Sequence, residues 1–593
     1  MLTKIALKSL RHKWRDYLVL LIGTTIAVGI FYMFSAMATN DAFLKANSTV
    51  KMIIPVFIVG EVLLGIITFV YLNFANSFLL RLRQKEYGLF SMLGATKRQI
   101  GTLLMRETLL VGVVSVILGM LLGMGLTSVS AGYLMNLIGI ELENWSVVTP
   151  NAIIVTVIFF MLVFFINGVY NRIRLTRRDT LTLLTADATV KQPKLSTMKM
   201  VFMGLLGLAL LIGSYLLMPH IGTFMLPGFV AIIVLNITGT YLFVSHTLNL
   251  VTKWIQNSNF GMRGLRPFLN GQLRFRLADY KRILTMIAVL FGMALGAMSV
   301  GQGYYIALPT QAVENADVTM VVRNEQTDLS DVSDVTYRAD IHYVVSDDKV
   351  SFLKSDFADI KIPDREYLEN GKSKLNMVSV DSEGINENYT LLTWANYAAG
   401  LEFGGQFELV DTLPAGEQKT LRAFTTSDFM GNEKELRQVY DGEKRYLENA
   451  NQGGPSSVPG SFGMLVLLKS VFGGLEFMSM FLGMAFMVML ASTLMFKILS
   501  NVVPDMRRYQ ILNMVGVTKH QAKMAVAKDL GILFFIPMTI GLADALIGLQ
   551  MFDKLMPDAY AGVPTALPWV LGIYALYYLV TVFIYQRLVL KSK

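Results

Sequence analysis

Long apolar runs recur along this chain of 593 residues and leave it few possible folds. A transmembrane α-helix needs roughly 20 consecutive, mostly apolar residues. Only 16% of the residues are charged, whereas soluble globular domains contain about 25%. The sequence therefore predicts an α-helical polytopic membrane protein with about ten transmembrane helices, at about 17–38, 53–79, 108–130, 151–171, 200–218, 226–249, 283–305, 473–497, 530–550 and 567–587.

The positions of Lys and Arg predict which side of the membrane each loop faces. Of the 52 basic residues, 34 lie in six alternate segments: 1–16, 81–106, 172–199, 251–282, 497–528 and 587–593. The short loops on the other side hold only Lys45, Lys51 and Lys554. Because cytoplasmic loops are enriched in basic residues, we expect both termini in the cytoplasm and residues 306–460 outside.

The long outer segment, 306–460, has a composition of its own. It holds 27 acidic and 14 basic residues, a net charge opposite to that of the membrane part. Alternating β-branched residues at 317–324 and 334–346 predict strands, and the charged run 432–450 predicts a helix. We expect a mixed α/β domain, whose acidity either attracts cationic ligands or keeps the domain soluble. An acidic block within a basic, apolar chain indicates two compartments and does not suggest nucleic-acid binding.

Two similar polar phrases follow apolar runs: "SMLGATKRQ" at 91–99 and "NMVGVTKHQ" at 513–521. A constant offset of 422 residues aligns them. The matched positions are Tyr87 with Tyr509, Met92 with Met514, Gly94 with Gly516, Thr96 with Thr518, Lys97 with Lys519 and Gln99 with Gln521.

The first phrase predicts a helix, a tight turn and a second helix. The first helix carries Tyr87 and Phe90 on adjacent turns and ends near Gly94, because glycine tolerates a left-handed position after a helix. Thr96 is predicted to cap the next helix, with Gln99 completing a capping box. The second phrase predicts the same unit.

A second pair of similar segments divides the chain into two halves. "LRHKWRDY" at 10–17 resembles "LRFRLADY" at 273–280, and each precedes an apolar run. Spans one to four and seven to ten are therefore predicted to be parallel repeats, related by a pseudo-two-fold axis along the membrane normal. Such an arrangement provides two equivalent cytoplasmic docking surfaces.

The segment "SFLLRLRQKEYGLFSMLGATKRQI" at 77–100 resembles the signature of FtsX-type ABC transporter permeases. The layout of ten spans with one large outer domain between spans seven and eight resembles the Bce-type permeases of antimicrobial-peptide detoxification and sensing. The second phrase departs from the usual pattern at Arg507, Arg508 and Asn513, so the two docking surfaces are not expected to be energetically equal.

This resemblance implies partners and a location. Two copies of a separate cytoplasmic ABC ATPase would bind the ATP and magnesium, and many such permeases also pair with a membrane histidine kinase. The implied ligand is a peptide antibiotic, such as bacitracin or a lantibiotic, or a lipid-linked cell-wall precursor. The implied location is the bacterial cytoplasmic membrane, in contact with its lipids.

The resemblance also sets the expected domain boundaries. They are 1–171 for the first FtsX-like half, 172–282 for linkers and spans five and six, 283–305 for span seven, 306–460 for the extracellular domain and 461–593 for the rest of the second half.

The chain is not expected to be an enzyme. In the partial P-loop match at "NGKS" (370–373), Glu366 replaces the required first glycine. No catalytic triad or paired-carboxylate motif is legible. The chain has no cysteine and only five histidines, without metal-ligand spacing. No cofactor or metal is therefore expected in this chain.

Four acidic residues near or within spans are functional candidates by position. For Glu107 and Asp529, at cytoplasmic ends, the alternatives are a functional role or pairing with adjacent Arg106 and Lys528 or with lipid headgroups. For Glu61 and Asp544 they are a role in a polar cavity or gate or a buried interhelical bond.

The leading functional hypothesis is an ATP-driven permease in which partner ATPases act on the two phrases and move the outer domain. The alternatives are a transmembrane regulator of cell-wall hydrolases and a lipoprotein- or drug-exporting permease of the same superfamily. An ion-coupled secondary transporter using Glu61 or Asp544 would leave the twin phrases unexplained.

Overall fold

A computed structural model provides the fold. It describes residues 14–40, 53–139, 146–176, 197–220, 228, 231–232, 234–247, 250, 266–346, 349–367, 373–381, 385–400, 406–449, 458–552, 556 and 558–590. Four features named from the sequence lie wholly or partly outside these residues: the predicted sixth span, most of the linkers in 172–282, the "NGKS" segment and the repeat at 10–17.

The described residues are mostly helical. In chain order the helices are α1 (Trp14–Ala38), α2 (Ile53–Leu82), α3 (Gln84–Met92), α4 (Lys97–Ile138), α5 (Pro150–Thr176), α6 (Thr197–Leu217), α7 (Arg266–Glu314), α8 (Tyr389–Ala399), α9 (Glu433–Asn449), α10 (Ser461–Met514), α11 (Lys519–Gly548) and α12 (Val563–Val589). Residues 234–247 are also helical. Within the described part of the chain, nine helices are long and apolar enough to cross a membrane. The prediction of a helical polytopic membrane protein is confirmed.

Contacts divide the chain into two units. The first comprises Met1–Asn136, Glu141–Tyr304 and Gly474–Lys593, and the second comprises Leu137–Ile140 with Tyr305–Gly473. Close helix crossings hold the first unit together. A Cβ on Gly123 would lie 2.6 Å from the Gly29 carbonyl oxygen, and one on Gly541 would lie 2.5 Å from that of Ala288. Glycine at such crossings lets two helix backbones approach more closely than any other residue would.

The second unit contains the predicted mixed α/β domain. Its strands are β1 (Met320–Val322), β2 (Val335–Ser346), β3 (Lys349–Leu353), β4 (Ile362–Tyr367), β5 (Ser373–Val378), β6 (Gln406–Val410) and β7 (Lys419–Thr426). Five of them form a sheet in the order β1-β7-β2-β3-β6, and β4 pairs with β5 separately. Within the described sheet the β3–β6 pair is parallel and the other pairs are antiparallel.

Helices α8 and α9 contribute buried side chains to the core of this domain. Trp394 and Tyr397 of α8 and Leu436 of α9 belong to the same buried cluster as Phe352 and Tyr343 of the sheet. Removing five aromatic or branched side chains of this size from water contributes roughly 10 kcal/mol of hydrophobic stabilisation before entropy is counted. The outer segment therefore has a core of its own.

Candidate coupling site

The first phrase folds as a helix, a glycine turn and a capped helix. Helix α3 ends at Met92, and Gly94 follows with φ of +91°. The Ala95 N–H donates to the Phe90 carbonyl at 2.9 Å, and the Gly94 N–H donates to the Ser91 carbonyl at 3.2 Å. This pair of bonds is a Schellman motif, which satisfies the last carbonyls of a helix by placing a glycine in a left-handed conformation. We call residues 89–99 turn one.

The capping box of turn one is complete. The Gln99 N–H donates to the Thr96 hydroxyl oxygen at 3.3 Å. The Thr96 N–H donates to the Gln99 side-chain oxygen at 2.9 Å. Two backbone donors at the start of α4 are thereby satisfied by side chains of the turn itself, as the sequence predicted.

The second phrase, residues 511–521 or turn two, has the same hydrogen bonds. Gly516 has φ of +94°, and the Val517 N–H donates to the Leu512 carbonyl at 3.1 Å. Thr518 and Gln521 form the second capping box, with bonds of 3.3 and 3.1 Å. The two turns are therefore the same local structure, built twice.

Both turns expose apolar side chains at matched positions. In turn one Leu89, Met92 and Leu93 are 54%, 70% and 77% exposed. The aligned residues of turn two, Ile511, Met514 and Val515, are 61%, 85% and 78% exposed. Lys97 and Lys519 are exposed directly after each turn. Contiguous exposed apolar groups with basic neighbours are typical of a surface that binds another protein.

Turn one rests on a buried charged network. Tyr87 is fully buried against Ile100, Leu104 and Leu175, with Phe90 packed beside them. Its hydroxyl donates to the Glu107 carboxylate at 3.4 Å. Burial, reinforced by this carboxylate, raises the pKa of Tyr87 well above its usual value, so the phenol stays a neutral donor at physiological pH.

Glu107 itself is 1% exposed and pairs with Arg83. Tyr17 also donates to the Glu107 carboxylate, at 3.2 Å, and Arg83 donates to the Tyr17 hydroxyl at 2.6 Å. The partner that the structure gives Glu107 is thus Arg83, which was not among the alternatives considered from the sequence. Neighbours in a helix point in directions about 100° apart, so Glu107 turns inward towards Arg83.

Turn two rests on different chemistry. The 422-residue offset aligns Asp505 with Arg83 and Asp529 with Glu107 in the sequence. Asp505 is 1% exposed and accepts hydrogen bonds from Tyr585 and, at 3.4 Å, from Arg508. Asp529 and Tyr509 are also buried. Arg83 and Asp505 were not predicted from the sequence, although extending the repeat alignment to four residues before Tyr87 reveals this reversal of charge.

The two acidic residues deep within spans have different surroundings. Asp544 on α11 accepts hydrogen bonds from Tyr215 on α6 and, at 3.4 Å, from Asn236. These contacts favour the interhelical bond among the two alternatives for Asp544. Glu61 on α2 has Ser35 of α1 as a hydrogen-bond partner, and its Oε1 has none in the described structure. Glu476 on α10 is 9% exposed and was not singled out from the sequence.

The described residues contain no group of three or more His, Asp or Glu side chains that could hold a metal ion. Glu107, Asp505 and Asp544 each accept hydrogen bonds from other elements. The candidate site therefore consists of two turns that expose apolar side chains above buried polar groups.

Comparison with known proteins agrees with this geometry. The family of FtsX-like permease C-terminal domains matches residues 58–180, which include turn one. The ABC transporter permease protein YxdM of Bacillus subtilis is 23% identical over 96% of this chain and 96% of its own length. The bacitracin export permease BceB of Bacillus subtilis is 22% identical over 55% of this chain and 52% of its own. The bacitracin export permease BceB of Halalkalibacterium halodurans is 25% identical over 58% of this chain and 54% of its own length.

The fold and the matches define a class: the chain is a helical membrane protein that carries an FtsX-like permease domain at residues 58–180. More particularly, it is similar over nearly its whole length to an ABC transporter permease, and over more than half of its length to two permeases named BceB. The predicted resemblance is confirmed at this level.

Proposed function

We propose that this chain is the permease subunit of an ABC transporter that docks two copies of a separate ATPase, one on each turn. ATP hydrolysis there would drive a mechanical change in the outer domain and confer resistance to, or sensing of, cell-wall-active antimicrobial peptides. The observation that carries the proposal is the duplicated surface: two identical capped turns that expose matched apolar side chains.

Helix continuity supports the mechanical part of the proposal. Helix α4 begins at Lys97, immediately after turn one, and extends for 42 residues to Ile138. Helix α10 extends for 54 residues from Ser461 to Met514, within turn two. At 1.5 Å per residue these helices are about 60 and 80 Å long. A force applied at either turn therefore acts on a helix longer than the membrane is thick.

The docking part is tested by counting ATPase copies. We expect the chain, co-expressed with its cognate ABC ATPase, to co-purify with two copies. Met92→Asp or Met514→Asp places a charge in the centre of one apolar surface. Loss of an interface anchor costs about 2 kcal/mol or more, which is roughly 30-fold in affinity. Each single variant should therefore retain one copy, and the double variant none.

Met430→Asp is the matched control, because Met430 is also an exposed methionine, at 50%, but belongs to the outer domain. It should retain two copies and full ATP turnover. If the double variant Met92→Asp/Met514→Asp still binds two ATPases, the docking proposal is wrong.

The peptide part of the proposal has separate support. Two similar proteins are named bacitracin export permeases, and the acidic outer segment suits cationic ligands. We expect bacitracin, a lantibiotic or a related peptide to stimulate ATP hydrolysis by the reconstituted complex. Stimulation by none of a panel of cell-wall-active peptides would remove this part and leave the ATPase-driven permease. A membrane histidine kinase is proposed as a further partner, to be tested by co-purification.

A further inference from the structure

Helix α9 is built into the outer domain along one face. Its side chains Leu436, Val439 and Tyr440 belong to the buried core of the domain. Glu443, fully buried, accepts the backbone N–H groups of Arg323 and Asn324 at 2.9 and 3.0 Å. A buried carboxylate with several donors holds a helix firmly in one position. Helix α9 therefore moves only if the domain moves with it.

The same helix contacts two long helices with its first two turns. Glu433 forms an ion pair with Lys469 of α10. One turn further on, the Arg437 guanidinium donates to the carbonyl of Gly139, the residue that directly follows α4. Because Glu433 and Arg437 are four residues apart, they lie on the same side of α9.

The contact at Gly139 has a clear physical basis. The last carbonyls of a helix lack partners within the helix and carry partial negative charge, so a guanidinium there is stabilising. Gly139 has φ of +67°, which a residue with a Cβ rarely adopts. A Cβ at this position would also lie 2.4 Å from the Arg437 Nη2 atom. Glycine at position 139 therefore allows the left-handed conformation and leaves room for the Arg437 guanidinium.

Helix α10 is joined to the domain far more extensively than α4. The Ser461 and Phe462 N–H groups donate to the carbonyls of Val318 and Thr319 at 2.9 and 3.0 Å. The Phe462 ring packs against Tyr440 of α9, with centroids 5.8 Å apart. The chain also passes directly from the domain into α10. The link to α10 is thus covalent and redundant, whereas among the described hydrogen bonds α9 reaches the end of α4 through Arg437. The Tyr305 hydroxyl of α7 also donates to the Leu137 carbonyl of α4, at 3.5 Å.

The asymmetry matters because α4 begins at turn one and α10 ends at turn two. We propose that Arg437 is a positioning residue that couples the first half of the permease to the outer domain, so that α9 responds to both turns. The proposal rests on the proposed function for the origin of the motion. Without Arg437, α9 loses its hydrogen bond to the end of α4, so closure at turn one is transmitted to α9 less effectively.

The test uses Arg437→Met, which keeps most of the apolar side chain and removes the donors. Arg445→Met is the matched control, because Arg445 is an exposed arginine on the same helix that donates only to the Asp441 carbonyl, at 3.2 Å, among the described contacts. The sequence has no cysteine, so Met92→Cys with Lys444→Cys provides two unique sites for spin labels in the full chain in lipid nanodiscs.

We expect Arg437→Met to broaden the distribution of distances between the two labels and Arg445→Met to leave it unchanged. This measurement needs no ATPase and so does not depend on the proposed function. An unchanged distribution in Arg437→Met overturns the inference.

In the reconstituted complex, Arg437→Met should keep basal ATP hydrolysis. The increase in ATP hydrolysis that bacitracin causes should fall by at least about fivefold, the usual scale of coupling between sites. Arg437→Lys, which keeps a charged donor, should restore part of it. Full stimulation in Arg437→Met overturns the coupling role. A complex that hydrolyses no ATP refutes the proposed function, while the label distances still decide whether Arg437 makes the link.

Discussion

Turn one and turn two expose matching residues, but the buried charged groups beneath them differ. Their Schellman bonds, capping boxes and exposed apolar residues match position by position, apart from half-buried Ser91 and exposed Asn513. Beneath turn one Arg83 and Glu107 form a buried ion pair. The aligned residues beneath turn two are Asp505 and Asp529, two acids.

The difference separates the exposed part of the repeat, which is the same in both copies, from the buried part, which is not. If the proposed docking is right, a surface that binds two copies of one protein has to stay the same in both halves. The buried groups are not under that constraint. Beneath turn one the buried partner is Arg83, the residue between α2 and α3. Beneath turn two Asp505 accepts from the Tyr585 hydroxyl of α12 and pairs with exposed Arg508. The two turns therefore expose matched apolar residues, while the buried groups that support them differ.

The largest expected effect comes from the buried pair. Arg83→Met leaves the Glu107 carboxylate at 1% exposure without its cation. Breaking a buried ion pair by removing one partner costs about 3–5 kcal/mol. We expect turn one to lose protection in hydrogen exchange at residues 97–104, and the temperature of unfolding to fall.

Arg508→Met is the matched substitution beneath turn two. Arg508 is 46% exposed and lies 3.4 Å from Asp505, and exposed pairs contribute about 0–1 kcal/mol. Turn two should therefore lose little protection. Equal losses in the two variants would contradict the inference that the supports differ.

The turns were predictable because their causes are local. Gly94, Thr96 and Gln99 fix a left-handed position and a cap within six residues, and the chain around them has no competing signal. The transmembrane helices followed from apolar length in the same way, although α4 begins and ends beyond the expected 108–130. Polar ends such as Lys97 remain helical because the cap satisfies their backbone groups.

The contacts between distant parts of the chain were not predictable from one sequence. Glu107 pairs with Arg83 across two helices and a turn, and Arg437 reaches Gly139 across 298 residues. The sheet order is likewise set by long-range pairing, since β6 joins β3 in parallel only after α8 has crossed between them. Composition and periodicity identify which residues are buried, but not which residues they meet.

An intermediate effect is expected from the two turn glycines. Gly94→Ala and Gly516→Ala meet no atom within 4 Å, so neither creates a clash. Each must hold alanine at φ above +90°, which costs about 1–2 kcal/mol. Because the two conformations match, we expect equal losses of local stability, measured by hydrogen exchange after each turn.

Gly572→Ala provides the control for these variants. Gly572 also has open space around a Cβ, but it lies within α12 at ordinary helical φ. There alanine should stabilise the helix, by up to about 1 kcal/mol. A loss of stability at Gly572, or unequal losses at Gly94 and Gly516, would show that strain at the turns is not the cause.

The smallest expected effect comes from the two capping threonines, and it tests whether each cap depends on the buried groups beneath it. Thr96→Ala and Thr518→Ala each remove one side-chain acceptor from an exposed capping box, at a cost of about 0.5–1 kcal/mol. Thr→Ser at either position keeps the acceptor and should be neutral. Since the caps have the same geometry, the losses should be equal in an otherwise intact chain.

In the Arg83→Met background turn one is already weakened. Thr96→Ala should then unfold the start of α4 more readily than Thr518→Ala unfolds the start of α11. Hydrogen exchange at residues 97–100 and 519–522 measures both, and equal exchange in that background would mean that each cap is independent of its support.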